Sequence, residues 1–265
     1  MNNFLDVAKK AAFQAGQLLL NNLDKSREVN YKGTGYYNPS SQMDEEAERV
    51  ILDIITGAFP EHSFISEEKG EKSGFSDYSW LIDPLDGTVN FIHGNRYFGV
   101  SIALVYQGEI NLGVVYNPVL DEMFAAVKGN GVYLNEKRIQ VSAIDKLGKS
   151  LLAMGFPYER SSEAFSSSVR SFTHLARGSQ AIRREGSTSL SLCNVACGRL
   201  DGFCVAGNEV WDYAAGILLV QEAGGRVTDF QGNPFQIFGS GNEVLATNGS
   251  IHEAILKCLG EEGKT

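Results

Sequence analysis

The segment richest in possible chemistry reads Trp80-Leu81-Ile82-Asp83-Pro84-Leu85-Asp86-Gly87-Thr88-Val89-Asn90-Phe91, an apolar run that ends on an acid and turns at once. Pro84 fixes its own backbone and pushes Asp83 into an extended conformation, while Gly87 lets the chain bend sharply. Two carboxylates three residues apart around such a turn can face one point. A hard cation such as magnesium, which takes oxygen ligands and keeps several waters, wants that arrangement. The same string also makes a good turn with no ligand at all, because aspartate side chains close turns on their own backbone. Glu67-Glu68 follows Phe64-Ile65-Ser66 at the end of another short apolar run, and Asp212 follows Trp211 at a helix start. Their plain alternatives are solvated loop charge and an ordinary N-cap.

Phosphate is the natural partner for the rest of the motif. Gly87-Thr88-Val89 is expected to present backbone N–H groups just past the turn, where phosphate oxygens bind. Gly186-Ser187-Thr188 opens another helix, either for a substrate to approach or as a simple hydroxyl cap. No Gly-x-Ser-x-Gly elbow occurs, and the four histidines, His62, His93, His174 and His252, are scattered. Direct attack by water fits better than a covalent intermediate.

The elements that must position these groups can be read from periodicity. Leu5, Ala8, Ala12, Ala15, Leu19 and Leu23 form one helical stripe over Phe4 to Leu23, and Ala47, Val50, Ile51, Ile54 and Ile55 form another over Asp44 to Phe59. In the second, Glu45, Glu46 and Glu48 read as first-turn acids favoured by the helix dipole. Between the two, Lys32 to Pro39 reads as a glycine-containing flap. Short strands follow at Ser63–Ser66, Ser79–Asp83, Tyr97–Tyr106, Ile110–Pro118 and Glu122–Val127, giving a mostly antiparallel sheet. The second half mixes strands near Leu151–Gly155, Arg226–Thr228 and Val244–Thr247 with helices over Phe165–Arg177, Thr188–Gly198, Tyr213–Ala223 and Ser250–Leu259. One domain of two interlocked halves, about 1–150 and 151–265, is expected, in layers of helix and sheet.

Composition narrows the function classes. The 265 residues are 43% hydrophobic and 21% charged, enough to bury a large core without disulfides or a structural metal. The formal net charge is -9 and no block of basic residues occurs, so nucleic acid is not an expected partner. Met1 to Leu20 reads as an amphipathic helix rather than a secretory signal, and no apolar run approaches the roughly 20 residues of a membrane span. A cytoplasmic protein with no membrane partner is expected. Cys193 and Cys197 stand four apart, yet no histidine or further cysteine joins them at metal-site spacing, so the cysteines read as core residues.

The ordered set Glu67-Glu68, Asp83-Pro-Leu-Asp-Gly-Thr88, Trp211-Asp212 and Gly224-Gly225 resembles the inositol monophosphatase family. Lys128-Gly-Asn-Gly-Val-Tyr-Leu-Asn135 through Ser142 and Glu185-Gly186-Ser187 extend the resemblance to roughly Phe4 to His252. It implies an α+β fold, a layered α-β-α-β-α sandwich with mixed and antiparallel sheets. It also implies a magnesium-dependent, lithium-sensitive phosphatase that forms a homodimer. Carried over, Glu67, Asp83, Asp86, Asp212 and the carbonyl of Leu85 hold two or three magnesium ions. Asp44 and Thr88 activate a water, with Glu67 in the catalytic set. Gly87, Thr88, Asp86, Ser187, Glu209 and Asp212 contact substrate. Glu68 supports a third ion or an outer layer. Five acids in so small a volume are costly without counterions, and divalent ions would let an acidic protein bind an acidic substrate.

Members that prefer inositol carry an acid several residues before the Trp-Asp pair; here Val205 stands at that spacing and the segment Asp201 to Asp212 reads as shortened. A site without that hydroxyl-reading carboxylate discriminates less. The expectation is a permissive monoesterase that takes inositol monophosphate and bulkier substrates, the 2′-phosphate of NADP first among them. The alternatives are a fructose-1,6-bisphosphatase or nucleotide 3′-phosphatase specialist, or a non-catalytic metal-binding regulatory protein on the same fold. A dinucleotide-binding oxidoreductase, suggested by Gly129-Asn130-Gly131, lacks the third glycine of its fingerprint.

Overall fold

Two helices open the chain because their apolar stripes have a sheet to cover. Helix α1 (Asn2–Asn22) buries Ala8, Ala11, Ala12, Ala15 and Leu19, and its small residues let it lie close to the strands beneath. A two-stranded ribbon, β1 (Val29–Tyr31) and β2 (Pro39–Ser41), leads into α2 (Gln42–Ala58). The α2 start is fixed by a capping box. Asp44 Oδ2 accepts from the Ser41 N–H at 2.8 Å and from its hydroxyl at 2.7 Å. The computed structural model describes residues 2–25, 29–31, 36–239 and 242–260, so Lys32 to Gly35 of the expected flap lie outside the described residues.

Strands β3 (Ser63–Ser66), β4 (Gly70–Lys72) and β5 (Tyr78–Asp86) precede the short helix α3 (Thr88–Ile92). A meander follows through β6 (Gly99–Tyr106), β7 (Glu109–Asn117), β8 (Glu122–Val127), β9 (Val132–Leu134) and β10 (Lys137–Arg138). These make one eight-stranded sheet in the order β10-β9-β8-β7-β6-β5-β3-β4, in which only the β3–β5 pairing is parallel. The second half gives β11 (Leu151–Met154), α4 (Glu163–Gly178), β12 (Ala181–Arg183), α5 (Thr188–Ala196) and β13 (Gly202–Ala206). It ends with α6 (Val210–Glu222), β14 (Arg226–Thr228), β15 (Glu243–Thr247) and α7 (His252–Gly260). Its five-stranded sheet runs β12-β11-β13-β15-β14.

Three cores stack these elements into α-β-α-β-α layers. One lies between α1, α2 and the large sheet; one surrounds α5 and α6 between the two sheets; the third joins α4 and α7 to the outer face of the small sheet. Gly216 shows how tightly the middle layer packs, since a Cβ there would stand 2.5 Å from the Leu192 side chain of α5.

Two sequence readings change here, and a third that the sequence already disfavoured gains a structural reason. Within the segment Asp201 to Asp212 that reads as a shortened wall, Gly202–Ala206 forms strand β13 in the middle of the small sheet, with Val205 fully buried. Glu48 is not a first-turn dipole acid: it stands in the second turn of α2, with no exposed surface. The Gly129-Asn130-Gly131 loop binds no dinucleotide phosphate, because its two glycine N–H groups each donate at 2.7 Å to the carboxylate of Glu222.

Candidate active site

Strand β5 carries the central acids, and a bulge makes them useful together. Residues three apart on a regular strand point to opposite faces. Asp83 pairs with Ser101 and Asp86 with Gly99, so three steps on β5 match two on β6. The extra residue, placed where Pro84 cannot join the ladder, resets the alternation and brings both carboxylates to one cavity. The chain therefore remains in the sheet through Asp86, where the sequence suggested a turn straight after Asp83. A local turn is nevertheless built into the bulge, as the Leu85 N–H donates to Asp83 Oδ1 at 3.0 Å.

The cavity of about 300 Å³ is lined by Glu67, Asp83, Leu85, Asp86, Gly87, Thr88, Glu209 and Asp212, with Tyr158, Trp211 and the Asn38-Pro39 edge completing its wall. Glu67 arrives from the end of β3, where its N–H donates to the Ile82 carbonyl at 3.3 Å, beside Asp83. Asp212 arrives from the first turn of α6, whose N-cap is Glu209 rather than Asp212 itself. The Glu209 N–H donates to Asp212 Oδ2 at 3.1 Å. Ser101, the strand partner of Asp83, donates its hydroxyl to the Trp211 carbonyl at 3.3 Å and so ties α6 to β6 at this point.

Asp86 is held from the other half of the chain. Its Oδ2 accepts from the Ser187 hydroxyl at 2.5 Å, the Ser189 hydroxyl at 2.5 Å and the Ser189 N–H at 2.7 Å, and its Oδ1 from the Thr188 N–H at 3.1 Å. The Thr188 and Ser189 amides at the start of α5 are thus taken by a carboxylate of the protein, while Ser187 caps the helix by accepting from the Leu190 N–H. Ser187 lines a neighbouring cavity with Asp86, and its proton is spent on Asp86. Asn208 links the remaining parts, donating to the Thr188 hydroxyl at 2.9 Å and hydrogen-bonding Asp212.

Asp44 stands just behind the cavity. The Thr88 hydroxyl lies 3.0 Å from Asp44 Oδ1 and 3.0 Å from the Leu85 carbonyl, with one proton to share between them. Gly87 makes this junction possible: its φ is +96°, and a Cβ there would sit 3.0 Å from the Tyr97 carbonyl.

The electrostatics are those of crowded buried acids. Burial, then the charges of Glu67, Asp86 and Asp212, hold the Asp83 carboxyl well above the usual carboxylate range. Asp212 is raised by burial and by Asp86 and Glu67, and Asp86 is raised by burial against the opposing pull of its hydrogen bonds to Ser187, Ser189 and Thr188. Asp44 is pushed up to about 6, chiefly by burial. Among the described residues lining the cavity there is no lysine or arginine. Hard oxygen donors that raise one another's pKa fit divalent cations. As the side chains stand, no three His, Cys, Asp or Glu among the described residues are arranged to hold a metal ion together.

The histidines stay away from the site. Trp80 Nε1 donates to His62 Nδ1 at 3.1 Å, and His252 sits between the Thr228 and Thr247 hydroxyls at 2.9 Å each. None of Cys193, Cys197, Cys204 and Cys258 is joined in a disulfide. Four residues escaped the sequence reading. Ser189 carries no local signal, since its partner Asp86 lies 103 positions away, and Asn208 reads as a loop residue although Asp212 stands only four positions on. Tyr158, 44% exposed, turns its phenol toward Asp212, Glu67, Asp86 and Asp83, where burial and those charges hold its pKa well above the ordinary tyrosine value. Ser41 could have been found, because Ser41-x-x-Asp44 before an apolar run is a capping pattern. Val205, at the spacing where an inositol-reading acid was expected, packs over Gly155 and offers no charge, whereas Glu209 does reach the acid cavity.

The sequence model of the inositol monophosphatase family matches residues 1–264. The chain is 38% identical over 260 residues to the inositol-1-monophosphatase of Synechocystis, covering 98% of this chain and 89% of that protein. It is 39% identical over 263 residues to the Nus factor SuhB of Escherichia coli K12, covering 99% and 97%. The crystal structure of the extragenic suppressor protein suhB from Bartonella henselae superposes with a TM-score of 0.92 at 37% identity, covering 98% and 99% of the two chains. Among the described residues, no helix is long and apolar enough to cross a membrane.

Proposed function

The chain belongs to the inositol monophosphatase family, phosphoric monoester hydrolases of a generally magnesium-dependent kind, and from that premise we propose that it hydrolyses small phosphate monoesters by direct attack of water. Glu67, Asp83, Asp86, Asp212 and the Leu85 carbonyl are the residues that would hold two or three Mg2+ ions. When bound, these ions supply positive charge to the phosphate dianion and make a water more acidic.

The remaining roles fall to the chain's own groups. Thr88 Oγ1 takes the proton of the attacking water as it hands its own to Asp44 Oδ1, 3.0 Å away. A carboxylate with a pKa near 6 is well matched to proton transfer near neutral pH. As the water oxygen bonds to phosphorus, the ester P–O bond breaks and the alcohol oxygen leaves to take up a proton. Gly87 and Thr88 line the cavity and would hold the phosphoryl oxygens, and Glu209 and Asp212, on the same wall, would meet the alcohol part of the substrate. Tyr158 adds a protonated phenol to the same wall.

The observation that carries the reading is the Thr88–Asp44 hydrogen bond beside the acid cavity, because a purely structural cation site has no use for a proton relay. It favours hydrolysis over the second reading, a regulatory protein, which the name of the Nus factor relatives raises. The substrate range is carried over from the sequence, where Val205 stands at the spacing at which inositol-preferring members carry an acid. The reading therefore extends to inositol monophosphate together with bulkier esters, including the 2′-phosphate of NADP, and to lithium inhibition and a homodimer by family likeness.

Phosphate release from inositol phosphates, sugar phosphates, nucleotide 3′-phosphates and NADP, with and without Mg2+ and Li+, tests it. Mg2+-dependent release from inositol monophosphate and NADP is expected. Release from none of the panel removes the enzymatic reading. A kcat/KM for inositol phosphate about 10³-fold or more above that for NADP removes the permissive one, since only a polar-reading pocket discriminates that strongly.

A further inference from the structure

Helix α2 sends a second acid inward one turn after Asp44, on the same face. Glu48 has no exposed surface. Its Oε1 accepts from the N–H of Glu68 at 3.0 Å and of Lys69 at 3.2 Å, and among the described residues its buried Oε2 meets no hydrogen-bond donor. Those two amides belong to the residues that directly follow Glu67. On its other side Glu67 is pinned to the sheet by its own N–H on the Ile82 carbonyl, 3.3 Å away. The backbone that carries Glu67 is therefore clamped between β5 and α2, and Glu48 is the α2 jaw of the clamp.

We propose that Glu48 is a positioning residue for the Glu67 carboxylate, so that α2 serves the site twice: Asp44 receives the proton from Thr88, and Glu48 fixes where the Glu67 ligand stands. This rests on the reading that the acids hold divalent cations. A buried carboxylate that spends one oxygen on two amides and leaves the other unpaired is costly in free energy. Helix α2 needs no such group for its own stability, as its apolar stripe and capping box already define it. The turn after β3 is where it is used, because the half-buried amides of Glu68 and Lys69 both find their acceptor in it. Groups that orient a metal ligand without touching the metal commonly change metal affinity 10- to 100-fold when removed.

The test is a titration with Mg2+ alone, read as the rise in melting temperature and as heat by calorimetry, on wild type, Glu48→Ala, Glu48→Asp and Glu48→Gln. Melting in EDTA reads any purely structural loss separately. Alanine removes the acceptor and aspartate withdraws it from the turn, so both are expected to raise the Mg2+ concentration for half-saturation by about 10- to 100-fold. Glutamine keeps an acceptor oxygen in place and is expected to stay within about threefold of wild type, because the two amide hydrogen bonds survive. KM for phosphate ester at saturating Mg2+ is expected to be unchanged in all variants that fold. Wild-type Mg2+ affinity in Glu48→Ala overturns the proposal, as does a Glu48→Gln variant as weak as the alanine. If the alanine chain does not fold, Glu48→Asp decides: wild-type affinity there overturns the proposal equally. A wild type that Mg2+ neither stabilises nor activates fails in a different place, removing the metal reading itself and this inference with it.

Discussion

Asp44→Asn is expected to make the metal-free protein more stable while disabling it, and the size of the gain can be worked from the site. Asp44 is fully buried, and its carboxyl is shifted from 3.8 to about 6, chiefly by that burial. About two pKa units at about 1.4 kcal/mol each amount to about 3 kcal/mol. The sign follows from proton binding: the folded state holds the Asp44 proton more tightly than the unfolded state. The stabilisation this gives is complete below about pH 4 and is lost as pH rises through about 6. At pH 8 the wild type in EDTA therefore carries the full cost of a buried charge. Asparagine carries none and can satisfy the same partners. Its oxygen replaces Oδ2 as acceptor for the Ser41 N–H and hydroxyl, and its amide donates to the Thr88 oxygen while the Thr88 proton turns to the Leu85 carbonyl. Thermal melts in EDTA should show the variant melting about 6–12 °C above wild type at pH 8, given about 2–4 °C per kcal/mol for chains of this size. The two should converge near pH 4. An equal offset at pH 4 and pH 8, or a variant less stable at pH 8, refutes the reasoning.

Two further substitutions probe the reacting groups and their support. Thr88→Ala should lower kcat by about 10²- to 10⁴-fold, the usual loss for a positioned proton-transfer group, with KM changing less. A large rise in KM with kcat preserved would make Thr88 a phosphate ligand only. Ser189→Ala removes one of the four donors that hold Asp86 and should raise the Mg2+ concentration for half-maximal activity by about tenfold, with the melting temperature in EDTA little changed. An unaltered Mg2+ dependence would show that the other three donors suffice.

Glu67 and Asp83 could be picked out of the sequence because each sits at the end of an apolar run, where a chain leaves a core, and Asp212 because it opens a helix after Trp211. How they converge could not be read there. Asp83 and Asp86 face one way only because β5 gains a residue against β6, and the Pro84 and Gly87 that permit this read equally well as a simple turn. Strand β13 was missed because it is short and wholly apolar, a pattern that a buried helix segment shares. Glu48 looked like its neighbours Glu45 and Glu46, and only the arrival of the turn after β3 on the same face of α2 separates a buried acid from a solvated one.

The same reasoning explains why the supports were less visible than the ligands. Asp86 and Ser189 are 103 positions apart, so no local window contains the bond between them. Asp83 and Asp86 come from the large sheet, Asp212 from the helix layer between the sheets, and the donors to Asp86 from the start of α5 in that layer. The cavity lies where these layers meet, and its acids repel one another across the join. A bound cation would therefore pull together elements that the acid charges push apart. Stability and metal occupancy are coupled at this seam, so the Asp44→Asn gain is best sought in EDTA, where that repulsion is least offset.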